Sequence, residues 1–239
     1  SALNGLVQMS TWSAREDTAY SEVLFGFRGI GRSAITERNW YNGYRPSVWT
    51  HLVHKDLKGK FQWQGSLRGE INQTHYKGER SERYRTSFMG RYQQEHTEYG
   101  VQFLLNRFTG RSFLYWENAD DRIFYGDPVS ELRDDILRVQ IDPYVKWKDK
   151  GAGKHLLQTR FFYSNNNASE GRGSTVQQYF TQYQYDLALF NGNGKLTSGL
   201  LAQAFQSNAS LFGNASLWAY QSAAFLRYEH SFFNRLRIF

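Results

Sequence analysis

The stretch FQWQGSLRGEINQTHYKGERSERYRTSFMGRYQQE, residues Phe61–Glu95, decides the fold of this chain. Its first half alternates between an apolar residue or glycine at odd positions and a polar residue at even positions. After a polar tip at 77–80 the same alternation returns. A period of two is that of a β-strand whose two faces meet different environments. The stretch therefore predicts one long β-hairpin with an apolar face and a polar face.

The length and the aromatic positions of this hairpin favour a membrane strand. The pattern over Phe61–Tyr76 lasts roughly three times as long as the ~5–6 residues of an average soluble strand. Trp and Tyr lie near the ends of the apolar column, with glycine and aliphatic residues between them. Outer-membrane strands have this arrangement, in which an aromatic girdle flanks an apolar band and a polar lumen lies behind.

The two columns predict which side chains meet lipid and which meet the lumen. A slip of one residue would invert the assignment, so the prediction is specific. The predicted outward residues are Trp63, Leu67, Ile71, Phe88, Tyr92, Val139, Ile141 and Tyr183. The predicted lumen-facing residues are Arg68, Glu70, Arg85, Arg91 and Gln182.

Composition is compatible with a membrane barrel and leaves other classes open. The 239 residues contain 40% hydrophobic and 17% aromatic residues, no cysteine, and a net charge of +7. No apolar run is long enough for a transmembrane helix, but the alternation of barrel strands hides their hydrophobicity. Without disulfides, a secreted all-β protein must rely on a core or on membrane burial. The basic charge suits nucleic acid, anionic lipid, lipopolysaccharide or simple solubility.

The alternation predicts about ten strands and a short final one at Leu236–Phe239, joined by connections of two kinds. Outer-membrane barrels sort their connections in this way, with short periplasmic turns and longer extracellular loops. The short set is 55–60, 93–98, 149–154, 190–195 and 232–235. The longer set is 28–46, 107–136, 164–175 and 207–216, with the tip at 77–80 as an exception.

Three segments carry a resemblance to TonB-dependent outer-membrane receptors. SALNGLVQMST at 1–11 resembles the last strand of their plug domain, and SFLYWENAD at 112–120 and IDPYVKW at 141–147 resemble parts of their early barrel. The resemblance implies an all-β, antiparallel up-and-down transmembrane β-barrel, of which this chain holds about ten of 22 strands around a plugged lumen. Residues 1–17 would be the end of the plug and a linker, and residues 18–239 the N-terminal part of the barrel.

The same resemblance implies a function in the bacterial outer membrane. It implies energy-coupled uptake of a scarce nutrient, such as a siderophore, cobalamin, a glycan or a peptide, with no cofactor and no nucleic acid. The implied partners are outer-membrane lipid and lipopolysaccharide, the TonB–ExbB–ExbD complex acting through the plug, and a possible surface lipoprotein.

Candidate substrate contacts lie in the aromatic loop predicted between residues 107 and 135, since loops of this length are usually functional or disordered. They are Arg111, Phe113, Tyr115, Trp116, Asp120, Asp121 and Tyr125. The aromatic residues could equally pack the loop against its neighbours, and the acidic ones fit a solvated loop better than a Ca²⁺ site. The polar columns could line a pathway, although hydrogen bonds to a plug or to water are the favoured role. His51 and His54 have a spacing that puts them on opposite faces of a strand, which argues against a metal pair.

Two other classes of function stay open. The sequence has no G-x-S-x-G, P-loop, HExxH or Cys–His pattern, which argues against an enzyme. A small complete barrel, acting as a porin, adhesin or outer-membrane enzyme, requires the strand from Tyr20 to pair with the strand Leu217–Tyr228. A soluble basic β-protein binding RNA or polysaccharide requires basic and aromatic residues on one face, whereas here they occupy opposite columns. We expect an incomplete barrel with both edge strands free of each other.

Overall fold

The computed structural model describes residues 19–30, 45–73, 78–118, 122–151, 153–169, 171–190, 193–213, 215–232 and 236–238. The predicted end of the plug and its linker, at 1–17, lie outside the described residues. Within the described ranges, no helix is both long and apolar enough to cross a membrane.

One antiparallel sheet of eleven strands contains most of the described chain, and its strands follow one another in chain order. A separate hairpin interrupts the order between the fifth and the eighth strand. The strands of the sheet are β1 (Tyr20–Ile30), β2 (Arg45–Lys58), β3 (Phe61–Gln73), β4 (Arg80–Gln94), β5 (Thr97–Phe113), β8 (Glu131–Lys148), β9 (Gly153–Ala168), β10 (Ser174–Leu189), β11 (Gly194–Ala209), β12 (Ser216–Phe232) and β13 (Leu236–Ile238). The separate hairpin is β6 (Trp116–Asn118) and β7 (Arg122–Gly126). The prediction of ten long strands and a short final one is confirmed.

The strand register confirms the two columns of the opening hairpin. Leu67 lies opposite Thr86 and Arg68 opposite Arg85, so each column of the first strand meets the corresponding column of the second. Residues directly opposite each other in an antiparallel pair share a face. Following the register across the sheet puts all of the predicted outward residues on one face and all of the predicted lumen-facing residues on the other. We call these the apolar face and the polar face.

Burial in this sheet is the reverse of that in a soluble domain. No hydrophobic side chain among the described residues is buried, while Val23 and Leu226 on the apolar face are 70% and 74% exposed. Five of the six buried polar residues among the described residues lie on the polar face. They are Ser47, Lys55, Gln62, Asn106 and Thr197. Soluble domains bury an apolar core between two layers. In this single sheet, the apolar face is not covered by a second layer of the described residues, so an apolar environment against it would take the place of a core.

The apolar band crosses the strands obliquely. At its β1–β8 end, one row of directly opposite residues contains Phe25, Gly69, Tyr84 and Leu137 together with the polar Thr50 and Arg107. At its β9–β12 end the same row is wholly polar, with Asn165, Thr175, Asn208 and Ser216. The band therefore steps toward the short turns from β1 to β12. Strands tilted by about 35–45° to the membrane normal produce such a step.

The connections keep the predicted alternation, but all except the tip at 77–80 are shorter than predicted, and the loop placed at 107–136 differs most. The loop placed at 107–136 is a connection at 114–130 only, because β5 continues to Phe113 and β8 begins at Glu131. A bidentate ion pair between Arg107 and Asp135, with N–O distances of 3.3 and 3.1 Å, lies within this extended ladder. The short connections are 59–60, 95–96, 149–152, 190–193 and 233–235. The others are 31–44, 74–79, 114–130, 169–173 and 210–215.

The sheet is open within the described residues. There β1 pairs with β2 alone, and β12 pairs with β11 and, over His230–Phe232, with β13. The pairing of the Tyr20 strand with the Leu217 strand that a small closed barrel requires does not occur among these residues.

Candidate functional site

The polar face carries three hydrogen-bonded sets of charged and amide side chains, and Glu98 on β5 is the centre of the first. The Glu98 carboxylate accepts hydrogen bonds from the Tyr144 hydroxyl at 2.8 Å and from the Lys146 ammonium at 3.0 Å. Arg91 Nη1 approaches the same carboxylate to 3.6 Å, and Arg91 also donates to Gln62. Two cations and a hydroxyl thus converge on a carboxylate whose side chain is only 15% exposed. Charge-assisted bonds of this kind fix side-chain positions more strongly than neutral ones.

A second centre joins β8 to β9. Arg160 donates from Nε and Nη2 to the two oxygens of Asp142, each at 2.9 Å. Gln140 donates to the same carboxylate at 2.7 Å. The fork of a guanidinium matches a carboxylate in this bidentate arrangement, which orients both groups.

A chain of amide hydrogen bonds runs along β10 toward the short turns. Gln158 donates to Gln182 at 3.3 Å, Gln182 to Gln184 at 3.4 Å, and Gln184 to Asp186 at 3.1 Å. Asp186 also accepts from Thr197 at 2.7 Å, and Lys195 lies 3.3 Å from it. The predicted residue Gln182 is therefore one link of a directed chain that ends on a carboxylate.

Two more of the predicted lumen-facing residues, Arg68 and Arg85, belong to a row of mostly basic residues on this face. Arg68, Arg85, Asn106 and Arg138 lie directly opposite one another on successive strands of the sheet. Arg68 reaches Glu70 at 3.3 Å, and Asn72 donates to Glu70 at 2.7 Å. Asn106 is 7% exposed, and its Oδ1 accepts no hydrogen bond from the described residues. We name Arg68, Arg85 and Arg138 the inner arginines.

The predicted substrate contacts lie at the end of β5 and in the connection after it, and the structure brings only some of them into contact. Arg111 and Phe113 belong to β5 and not to a loop, and the register puts them on the side of the sheet that carries the apolar face. The Arg111 guanidinium carbon lies 5.5 Å from the centre of the Phe113 ring, within the range of a cation–π contact. The Phe113 ring fits against two glycines, since a Cβ added at Gly126 would lie 2.0 Å and one at Gly78 3.3 Å from ring atoms.

The other predicted contacts belong to the connection after β5. Tyr115 is 65% exposed, its N–H donates to Ser130 Oγ at 3.1 Å, and its carbonyl accepts from Asp127 at 2.9 Å. The backbones of Trp116 and Tyr125 lie in β6 and β7. Asp120 and Asp121 lie outside the described residues, so the structure does not test the acidic pair.

Glu131 at the start of β8 contacts a predicted site residue, although the sequence did not predict it as part of a site. It accepts from Arg111 at 2.6 Å and also from Arg133. Arg133 lies two positions along the same strand, whereas the contact with Arg111 depends on the register between β5 and β8, which brings together residues that are twenty positions apart in the chain. No local sequence pattern marks such a contact.

A cleft of about 360 Å³ lies at the short-turn end of the sheet, lined by members of the Glu98 set and by the end of the β10 amide chain. Glu98, Lys146, His155 and Asp186 are among its lining residues, so it carries both signs of charge. The register puts His51 and His54 on opposite faces, as their spacing predicted. No group of three His, Asp or Glu side chains in the described ranges is placed to hold a metal ion.

No protein-family model matches the chain, and no curated protein matches it in sequence. Solved structures do match its fold, among them the siderophore receptor PirA from Pseudomonas aeruginosa. The match covers 90% of this chain with a TM-score of 0.66 and 11% sequence identity. The chain therefore shares the antiparallel β-barrel fold of that receptor. The chain covers 35% of the length of that receptor, so the likeness concerns part of the barrel wall.

Proposed function

We propose that this chain forms part of the barrel wall of a TonB-dependent transporter in the bacterial outer membrane. One observation carries the proposal: the sheet is inverted, with exposed hydrophobic side chains on one face and a fixed polar network on the other. Lipid on the apolar face would remove from water the side chains that a soluble fold would have to bury. The polar face, with the inner arginines and Gln182, would then line the lumen.

The open sheet supports a wall segment better than a small complete barrel. A free strand edge in hydrocarbon leaves N–H and C=O groups unsatisfied, each at a cost of several kcal/mol. In the described residues β1 forms one edge of the sheet, and β13 with the part of β12 that it leaves unpaired forms the other, and these edges do not meet. In a plugged barrel larger than this sheet, both edges would pair with further strands.

Transport rather than catalysis is the activity that we propose. The cargo would be a scarce nutrient such as a siderophore, cobalamin, a glycan or a peptide, and the TonB–ExbB–ExbD complex would supply the energy through the plug. Tyr115, Trp116, Asp120, Asp121 and Tyr125, in the connection after β5, would contact the cargo from outside, and a surface lipoprotein would be a further partner. Arg111 and Phe113 lie on the side of β5 that carries the apolar face, so they would not contact the cargo.

Uptake measurements test the proposal. The gene for the full-length protein is deleted, and growth is measured with each nutrient class as the sole source of iron, cobalamin or carbon. We expect one class to require the gene and the same class to require TonB, with growth restored by the wild-type gene. Passive leakage of small solutes that does not depend on TonB would contradict the proposal and favour a porin.

A further inference from the structure

The inner arginines belong to a basic row that is confined to one part of the polar face. Arg68, Arg85, Asn106 and Arg138 lie directly opposite one another on β3, β4, β5 and β8. From β9 to β12 the same row is uncharged, with Ser164, Val176, Ser207 and Leu217. The positive charge is therefore concentrated on β3–β8 and is not spread along the sheet.

The rows on either side do not neutralise the inner arginines. On β3, β4, β5 and β8, the row toward the longer connections contains Glu70, Arg83, Phe108 and Ile136, and the row toward the short turns contains Ser66, Ser87, Leu104 and Gln140. On these strands the three rows hold four arginines and one carboxylate, that of Glu70. Arg68 lies 3.3 Å from Glu70, whereas Arg85 and Arg138 form no hydrogen bond or ion pair with the described residues.

Asn106 supplies a second, independent sign of a ligand between Arg85 and Arg138. Its side chain is 7% exposed, and its Oδ1 accepts no hydrogen bond from the described residues. A buried acceptor without a donor is destabilising, so folded proteins keep few of them. A ligand hydroxyl held between the two arginines would be the missing donor.

The spacing of the row favours an extended ligand over a compact one. Neighbouring strands lie about 4.8 Å apart, so the backbones of Arg85 and Arg138, on either side of β5, are about 10 Å apart. The whole row from Arg68 to Arg138 spans about 14 Å. A linear chain in which acidic groups alternate with hydroxyls fits this order of two cations around an acceptor. Phe108 and Ile136, directly opposite each other in the next row, offer an apolar surface to the carbon face of a sugar ring.

The level of the row suits a ligand that arrives from outside. Asn106 directly follows Leu105, where the apolar band of β5 ends. The row therefore lies at the edge of the band on the side of the longer connections, which are extracellular in outer-membrane barrels. Cargo entering the lumen would meet this part of the wall early.

We propose that the inner arginines and Asn106 bind a linear acidic oligosaccharide as the cargo. The guanidinium forks of Arg85 and Arg138 each hold one carboxylate or sulfate of the chain, as such forks do in bidentate pairs. Asn106 accepts a hydrogen bond from a sugar hydroxyl between these two groups. The proposal rests on the proposed function, because it needs the polar face in the lumen.

Binding of oligosaccharides that differ in charge is the first test. The full-length protein in detergent is titrated calorimetrically with tetragalacturonate, its neutral methyl ester, a sulfated galactan tetrasaccharide and citrate. We expect one of the two acidic sugars to bind at least about tenfold more tightly than the ester and citrate, with an affinity that falls with salt. The preferred acid identifies carboxylate or sulfate as the anionic group. Equally tight binding of the ester or of citrate would overturn the proposal, as would no binding of either acidic sugar.

Variants with equal loss of charge make the second test. R85Q/R138Q removes the two arginines without a partner, and the control K148Q/K154Q removes two positive charges from the polar face about 33 Å along β8 from Arg138. Heat-modifiable electrophoretic mobility confirms that each variant folds as a barrel. We expect about a tenfold loss of affinity for the acidic sugar in R85Q/R138Q and less than a twofold loss in the control. N106L, which removes the acceptor at similar volume, should also weaken binding.

The outcomes separate failure of this site from failure of the proposed function. Unchanged affinity in folded R85Q/R138Q would overturn the site. Lower thermal stability of R85Q/R138Q, with no acidic sugar bound by the wild type, would assign the arginines to a carboxylate of the protein itself and overturn the site as well. TonB-dependent growth on a neutral nutrient alone would overturn the acidic cargo and leave the transporter proposal intact. Leakage that does not depend on TonB would overturn both.

Discussion

At the scale of single residues, an arginine should be far more costly on the apolar face than on the polar face. Leu67, Phe88 and Ile141 lie near the middle of the apolar columns of their strands. Leu67→Arg, Phe88→Arg or Ile141→Arg should each lower the free energy of unfolding by roughly 2–4 kcal/mol, because a cation enters the hydrocarbon near its midplane. Folding titrations of the full-length protein into lipid bilayers measure the difference.

The matched controls place the same side chain on the polar face. Gln64→Arg and Gln182→Arg should cost much less, because both side chains lie on the polar face. Gln64 lies directly opposite Met89, one pair away from Arg91 on that face, and Gln182 accepts a hydrogen bond from Gln158. Equal costs on the two faces would contradict a membrane-facing apolar side.

Individual residue contacts were the part that the sequence predicted least, because Glu98 contacts Tyr144 and Lys146, which lie 46 and 48 positions away in the chain.

At the scale of the strand, solvent access should alternate with the same period as the sequence. The chain has no cysteine, so single cysteines at Leu67, Ile141 and Arg85 report one position each. In intact outer membrane, a bulky water-soluble maleimide should leave Leu67→Cys and Ile141→Cys unlabelled, because lipid covers the apolar face. Ready labelling at these two positions, with none at Arg85→Cys, would reverse the assignment of the faces.

Strands were predictable from the sequence where their two faces meet different environments, and their ends were not. The alternation identified β3, β4, β8 and β10 because an apolar column runs beside a polar one. Beyond Leu105 the positions of β5 on the apolar face become polar, as at Thr109 and Arg111, and the period of two disappears. The alternation of apolar and polar residues therefore did not predict the extended pairing between β5 and β8, nor the hairpin of β6 and β7. The extended pairing joins residues that are 18 or more positions apart in the chain, and β6 has only three residues, too few to show a period.

At the scale of the whole molecule, the two outer strands should cross-link to their sheet neighbours and not to each other. Val23 on β1 lies directly opposite Leu52 on β2, at the Cα separation that antiparallel pairing and disulfide geometry share. In the full-length protein, oxidation of a Val23→Cys/Leu52→Cys pair should therefore give a disulfide. Val23→Cys/Leu226→Cys should give none, because β1 and β12 do not pair in the open sheet. Electrophoresis with and without reductant measures both, and Leu200→Cys/Ala224→Cys is the matching neighbour pair for β12. Efficient cross-linking between Val23 and Leu226 would mean that β1 closes on β12. The chain would then be a small complete barrel, and the proposal of a larger plugged transporter would lose its main support.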